Sequence, residues 1–157
     1  MSRVNYNDDN WDENAQRRSN LWSGRWKRQR RSKRGQAFFR ELQAVLLALP
    51  DKRLAGNKLV DANGCGCAGG ELVIARKMAT GMTRGEAILS MLGDVEEIDS
   101  GGLDMVDFLG SIGIQRTVAW TMVHENDGGY CEVKMTPEAR YDHVLAWTRS
   151  MMLETAT

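Results

Sequence analysis

The stretch KRGQAFFRELQAVLLALPDKRL, from Lys33 to Leu54, decides the fold, because its hydrophobic period, its start signal and its stop signal agree. Its main apolar residues recur at the spacing of one face of a 3.6-residue helix: Phe38, Leu42, Val45, Leu46 and Leu49. Gly35 marks the start of this helix and Pro50 its end. Three further apolar residues widen the surface: Ala44, Leu47 and Ala48. The stretch therefore predicts a central helix that neighbouring elements cover on more than one side.

The length and composition predict one globular domain over residues 1–157. The chain is 42% apolar and 27% charged, which is typical of a soluble globular protein. Its longest uninterrupted apolar run, Ala44 to Leu49, is too short to cross a bilayer, and the N-terminus is too polar for a signal peptide. Three cysteines, an odd number, favour reduced thiols. We therefore expect no membrane association and a location in the cytoplasm.

Helix signals along the chain predict a mainly α fold, a single compact domain of about six helices with one small β-hairpin. Residues 1–10, rich in Asn and Asp, are expected to form a loosely held N-terminal arm. Asp9 or Asn10 can cap a first helix of about 15 to 20 residues. The last helix has Thr136 as its cap and Pro137 at its first position, which is the clearest helix start in the sequence.

The segment after the central helix predicts the hairpin. Lys58 to Asp61 and Cys65 to Cys67 flank Asn63-Gly64, a dipeptide favoured in tight hairpin turns. Gly64 to Gly69 also match the G-x-G-x-x-G pattern of dinucleotide-binding loops. That motif requires a buried strand before it and a βαβ unit around it, and the sequence predicts neither. We therefore favour a hairpin turn and expect no cofactor.

The cysteines and histidines raise the possibility of a zinc site. Five side chains could supply four ligands: Cys65, Cys67, Cys131, His124 and His143. Structural zinc sites draw on cysteine pairs two to four residues apart, whereas residues one apart in a strand point to opposite faces. A free cysteine is often buried as a small apolar group. The spacing therefore predicts no metal.

Two other motifs have a functional and a structural interpretation. His124 to Asp127 offer acid–base groups at a helix end, but they also fit a solvated C-terminal turn, with the histidine near the negative end of the helix dipole. The segment LDMVDFLGSIGIQRTVAW resembles a helix-turn-helix, but acidic Asp99, Asp104 and Asp107 lie where phosphates would pass. We favour the structural interpretation of both motifs, a solvated turn for the first and an ordinary helical hairpin for the second, and expect no enzymatic activity.

Basic residues concentrate near the N-terminus. Residues 1–50 carry 11 Lys and Arg against 5 Asp and Glu, and no acidic residue occurs from Asn14 to Arg40. The candidate nucleic-acid-binding residues are Trp22, Arg25, Lys27, Arg28, Arg30, Arg31 and Arg34. If they neutralise about four to six phosphates, log K should fall with log salt at a slope of roughly −3 to −5. Alternatively, the tryptophans are core anchors, and the cations lie in water or pair with the acidic second half.

Four segments occur in an order that resembles a family of small bacteriophage and prophage proteins. They are KRGQAFFRELQAVLLALPDKRL, then LV with a glycine turn and a Cys, then GIQRTVAWTMVHENDGG, and finally TPEARYDHVLAWTRSM. The resemblance runs from about Lys33 onward and includes the opening MSRVNYNDD, while GCGCAGG departs from the plainer cysteine segment of that family. The family carries no assigned activity, so the resemblance assigns no functional residue. It implies an accessory phage gene product in a bacterial cytoplasm.

These features predict a non-enzymatic accessory protein that binds a macromolecule, with nucleic acid as the first candidate partner. The alternative is a modulator of a bacterial host protein, which would use an apolar or acidic surface such as Gly93 to Asp107. The sequence leaves both open, together with the role of Cys65 and Cys67 and the oligomeric state.

Overall fold

The computed structural model describes residues 9–95, 102–128 and 134–153, and these residues are mainly helical. Seven helices occur in these ranges: α1 (Asp9–Arg31), α2 (Lys33–Ala48), α3 (Ala68–Met78), α4 (Arg84–Val95), α5 (Gly102–Ser111), α6 (Arg116–Asn126) and α7 (Pro137–Met151). The mainly α prediction is confirmed, with seven helices rather than about six. None of the described helices has both the length and the hydropathy needed to cross a membrane. Residues 1–8 of the predicted arm lie outside the described ranges, whereas Asp9 and Asn10 begin α1.

Helix α2 lies against α1, α3 and α7, which makes it the central helix that the sequence predicted. Its inner face includes Phe39, Leu42 and Leu46, each fully buried. The helix ends at Ala48 and does not continue through the residues after Pro50. The covered surface is narrower than predicted, because Leu47 is 47% exposed and two neighbours, Ala44 and Ala48, are also exposed. Only one face is buried, as in an ordinary amphipathic helix.

The junction between α1 and α2 depends on a glycine. A Cβ at Gly35 would lie 1.9 Å from the carbonyl oxygen of Gln29, so no other residue fits without movement of the backbone. The buried Gln36 side chain next to it donates hydrogen bonds to the carbonyls of Arg30 and Met151, at 2.7 and 3.1 Å. These contacts fix the end of α1 against the end of α7.

The predicted β-hairpin is not present in the described residues. The segments Lys58 to Asp61 and Cys65 to Cys67 make one isolated antiparallel bridge, between Val60 and Gly66, and no strand ladder. The prediction of two chain segments folding back at this position is correct, but the pairing is too short to count as strands.

Helix capping and a side-chain turn explain why the pairing stops. The Asp61 carboxylate accepts hydrogen bonds from the backbone N–H groups of Asn63 and Cys65, at 2.8 and 3.0 Å, which closes a tight turn. Two residues later, Cys67 is already the N-cap of α3, which begins at Ala68. The chain therefore enters a helix where a second strand would have to continue.

Helices α5 and α6 pack directly against each other, as the predicted helical hairpin requires. Buried Val106 and Leu109 of α5 and Val118 and Met122 of α6 belong to the same hydrophobic core as the inner face of α2. Helix α6 also contacts α1, α3 and α7. This arrangement places the exposed side of α6 beside the basic end of α1.

Candidate nucleic-acid interface

Helix α1 is anchored to the rest of the protein through its C-terminal half. From Glu13 to Trp22, every side chain is exposed except that of Ala15, which is partly buried. Trp26 packs against the core and meets Phe39 edge to face, with ring centroids 6.3 Å apart. The interpretation of the tryptophans as core anchors therefore holds for Trp26, whereas Trp22 remains 40% exposed.

Two of the seven candidate residues bind the ends of other helices. The Arg30 guanidinium donates hydrogen bonds to the carbonyls of Ser150 and Met151, at 2.9 and 3.1 Å, in the last turn of α7. The Arg34 guanidinium donates one to the carbonyl of Gly113, in the turn after α5. A cation at a helix C-terminus donates hydrogen bonds to the free carbonyls there and interacts favourably with the negative end of the helix dipole. Arg30 and Arg34 are therefore explained by the fold.

Two more candidates lie on the outer side of α1. Lys27 and Arg31 are exposed and four residues apart, so they share one helix face. Helical geometry places that face roughly opposite Trp26 and Gln29, which contact the rest of the protein. Neither residue lines a cavity that the described ranges form, so this side contributes exposed positive charge.

The structure brings Arg25 and Arg28 together with Arg116, which the sequence had not assigned to this site. All three line an open cavity of about 320 Å³ between α1 and the start of α6. The Thr117 hydroxyl donates a hydrogen bond to the Gln29 side-chain oxygen at the cavity and joins the two helices. Three arginines from two helices thus line one open cavity.

One carboxylate, that of Asp107, would compete with a phosphate for the positive charge of Arg116. Arg116 forms an ion pair with Asp107 of α5 at 2.7 Å, and the two side chains are 68% and 57% exposed. Ion pairs this exposed contribute only about 0 to 1 kcal/mol, so a phosphate can displace the carboxylate. In the described parts of the chain, no ion pair joins a carboxylate to any of the cations from Arg25 to Arg34. The alternative in which these cations pair with the acidic half finds no support there.

Four aromatic rings continue the surface beside the arginine cavity. Trp22 stacks on Trp26, with centroids 6.3 Å apart and planes 12° apart, and meets Trp120 of α6 edge to face at 5.7 Å. Trp120 in turn stacks on His124 at 5.0 Å. Trp22 is 40% and Trp120 36% exposed. We call Trp22, Arg25, Arg28, Arg116 and Trp120 the basic–aromatic surface.

Sequence reasoning missed the half of this surface that α6 supplies. Arg116, Trp120 and His124 are four residues apart, which is the spacing of one helix face. That spacing, opposite the apolar Val118 and Met122, was the available signal. It gave no indication of which other helix the face would meet, because that depends on tertiary packing.

The two described cysteines have structural positions. The Cys67 thiol is buried, accepts a hydrogen bond from the Gly70 N–H at 3.4 Å, and lies 3.8 Å from the sulfur of Met105. Burial raises the pKa of Cys67 to about 12, and burial is also the main cause that raises the pKa of Cys65. Over the described ranges, no three His, Cys, Asp or Glu side chains cluster to hold a metal ion. Cys131 lies outside those ranges, so the absence of a metal site stays a prediction.

The glycine-rich segment is explained by a buried carboxylate and close backbone packing. Glu71, 2% exposed, accepts two hydrogen bonds from the Arg84 guanidinium, at 2.7 and 2.8 Å, and a third from the Gly66 N–H at 2.8 Å. The hydrogen bond to Glu71 raises the pKa of Arg84. A Cβ at Gly70 would lie 1.9 Å from the Leu59 carbonyl oxygen. The glycine spacing therefore follows from contacts within the chain.

The expectation of a solvated turn at His124 to Asp127 is wrong for Asn126. This residue is 2% exposed, and its side chain accepts a hydrogen bond from the Ala68 N–H at 3.0 Å and donates one to the Ala55 carbonyl at 2.9 Å. Asp127 accepts another hydrogen bond from the Asn57 N–H at 3.0 Å. The end of α6 thus holds the start of α3 and the loop before it, because buried polar groups require such partners.

The His143 Nε2 atom and the Glu125 carboxylate lie within hydrogen-bond distance, 2.8 Å apart, on the surface between α6 and α7. The side chains are 45% and 27% exposed. Within the described segments, neither a serine nor a cysteine is hydrogen-bonded to His143.

No protein-family model, curated protein or solved structure matches the chain. The resemblance to phage and prophage proteins therefore stays a prediction. No residue receives a role from a relative, and the site is defined by its geometry and charge alone.

Proposed function

We propose that the chain is a non-enzymatic nucleic-acid-binding protein whose contact site is the basic–aromatic surface. The observation that carries the proposal is the convergence of Arg25, Arg28 and Arg116 around one open cavity. Arginine is suited to phosphate because its planar guanidinium donates paired hydrogen bonds and keeps its charge. Exposed aromatic rings beside clustered cations are the combination that nucleic-acid-binding proteins use.

The structure changes the expected size of the electrostatic contribution. Of the six cations predicted from the sequence, Arg30 and Arg34 are hydrogen-bonded to backbone carbonyls, and Lys27 and Arg31 lie on the outer side of α1. The remaining two, Arg25 and Arg28, are joined by Arg116 at the cavity, which gives three cations. Three phosphate contacts correspond to a salt slope of roughly −2 for single strands and roughly −3 for duplex DNA. This slope is smaller than the one expected from the sequence.

The proposal includes the setting that the sequence resemblance implies, an accessory phage gene product acting in a bacterial cell. The second candidate, a modulator of a host protein, would use the segment from Gly93 to Asp107. Residues 96–101 of that segment lie outside the described ranges. Asp107 pairs with Arg116 in the part that is described. No specific observation favours this second candidate.

Fluorescence anisotropy tests the proposal, with labelled single strands and duplexes titrated by the full chain over about 50 to 200 mM salt. We expect binding at low salt that weakens as salt rises, with the slope given above. Absence of binding to every nucleic acid at the lowest salt would overturn the proposal. In that case, a host protein retained stoichiometrically by the tagged chain after nuclease treatment would favour the second candidate.

A further inference from the structure

We infer that the basic–aromatic surface selects single-stranded over duplex nucleic acid, with Trp22 and Trp120 as stacking platforms for unpaired bases. This inference rests on the proposed function and concerns its substrate class. Arginine–phosphate contacts alone would favour the duplex, which has the higher charge density, so a preference for single strands requires contacts to the bases. The tryptophans are what distinguish them.

Each of these two tryptophans is held by a second aromatic ring that lies nearly parallel to it, and the two tryptophans also meet each other edge to face, with centroids 5.7 Å apart. Trp22 stacks on Trp26 and Trp120 stacks on His124, both with planes 12° apart. Because the two rings are still 40% and 36% exposed, their open area lies on the remaining faces and edges. A ring that is fixed by its neighbours and still partly exposed is pre-organised to receive a flat base. In a duplex, the bases already stack on one another, so their faces are not available.

The arginines lie at a distance from the tryptophans that suits one nucleotide. Arg25 follows Trp22 by three residues on α1, and Arg116 precedes Trp120 by four residues on α6, so each pair is about one helical turn apart. A turn rises 5.4 Å, a distance that the sugar of a nucleotide can span between its phosphate and its base. Each helix therefore carries an arginine for a phosphate about one turn away from a tryptophan for the base.

The shape of the site also favours a flexible strand. The arginine cavity is a concave space between α1 and α6, and it is also lined by Gln29 and Thr117, which a hydrogen bond joins. A helix that reads duplex DNA must project into a groove. The arginines of the cavity lie instead at the place where α6 stands beside α1. A single strand can bend its backbone into such a cleft and turn its bases toward the tryptophans.

The test compares four ligands on the unaltered chain: a DNA strand, an RNA strand of the same sequence, the corresponding duplex, and an abasic strand with as many phosphates as each single strand. We expect both base-containing strands to bind more tightly than the abasic strand, by roughly 5- to 150-fold for each base that stacks. Equal affinity for the abasic strand, or tighter binding of the duplex, would overturn the inference while leaving the proposed function in place. Absence of binding to all four ligands would overturn both.

Variants provide the second arm. Trp22→Ala and Trp120→Ala should each lower single-strand affinity by roughly 5- to 150-fold and leave affinity for the abasic strand unchanged. Leu21→Ala is the matched control, since Leu21 is a large apolar residue of α1 that is 63% exposed next to Trp22. Circular dichroism establishes that each variant is folded before its affinity is compared. Equal losses for base-containing and abasic strands would contradict stacking.

Discussion

Replacing Leu46 with alanine should destabilise the protein by about 2 to 5 kcal/mol. Leu46 is fully buried on the inner face of α2, and truncating it removes apolar contacts and leaves a cavity lined by neighbours in the core. The adjacent Leu47 provides a control of identical chemistry. Its side chain is 47% exposed, so Leu47→Ala removes less buried area, and solvent fills the space. We expect that change to cost less than about 1 kcal/mol.

Urea unfolding followed by circular dichroism measures both variants against the unaltered chain. The free energies of unfolding should differ by about 1 to 4 kcal/mol between the two variants, with similar dependence on urea. In a chain of this size, each kcal/mol corresponds to about 2 to 4 °C in melting temperature. Equal losses, or a larger loss at Leu47, would refute the register of α2 and the packing of α1, α3 and α7 around it.

Three other changes test separate parts of the account. Gly35→Ala should destabilise the protein, because its Cβ would meet backbone at 1.9 Å, whereas Gly24→Ala, with nothing within 4 Å, should stabilise α1 by roughly 0.5 to 1 kcal/mol. If thermal melts show that both variants change the melting temperature in the same direction, the close approach of α1 and α2 is contradicted. Burial raises the pKa of the Cys67 thiol to about 12, against an ordinary value of 9.0. The contribution of the neutral thiol to stability is therefore complete below pH 9. It is lost as the pH rises toward 12, because the unfolded chain gives up this proton more readily than the folded chain. Between pH 8 and 10, unfolding free energy should therefore fall by about 1 kcal/mol more in the unaltered chain than in Cys67→Ser, and equal falls would refute this. A chelator should leave the melting temperature unchanged. If the purified protein contains one equivalent of zinc, and if a chelator removes the zinc and lowers the melting temperature, the protein has a metal site that includes Cys65 or Cys131.

The helical fold could be predicted because its signals are local. The caps Ser32 and Thr136, the period of α2 and the proline that opens α7 each act within a few residues along the chain. The hairpin prediction failed for a reason that is also local but easily overlooked. Cys67 caps α3, so the second strand has no length in which to form.

The site could be predicted only in part, because its two halves meet through tertiary contacts. The basic composition indicated α1 correctly, but it did not separate Arg25 and Arg28 from Arg30, whose partners are carbonyls at the end of α7. Those partners are about 120 residues away along the chain. Arg116 and Trp120 join the surface for the same reason, through the packing of α1 on α6.

The most direct test of the central claim compares two double variants on one helix. Arg25→Ala with Arg28→Ala, and Lys27→Ala with Arg31→Ala, each remove two positive charges from α1, the first pair from the arginine cavity and the second from the outer face. With a labelled single strand, the first should weaken binding strongly and reduce the magnitude of the salt slope by about 1.4, or 0.7 for each lost phosphate contact. The second should leave the slope nearly unchanged. Equal weakening by the two double variants, or a greater loss from the outer face, would contradict the assignment of the basic–aromatic surface as the nucleic-acid-binding site.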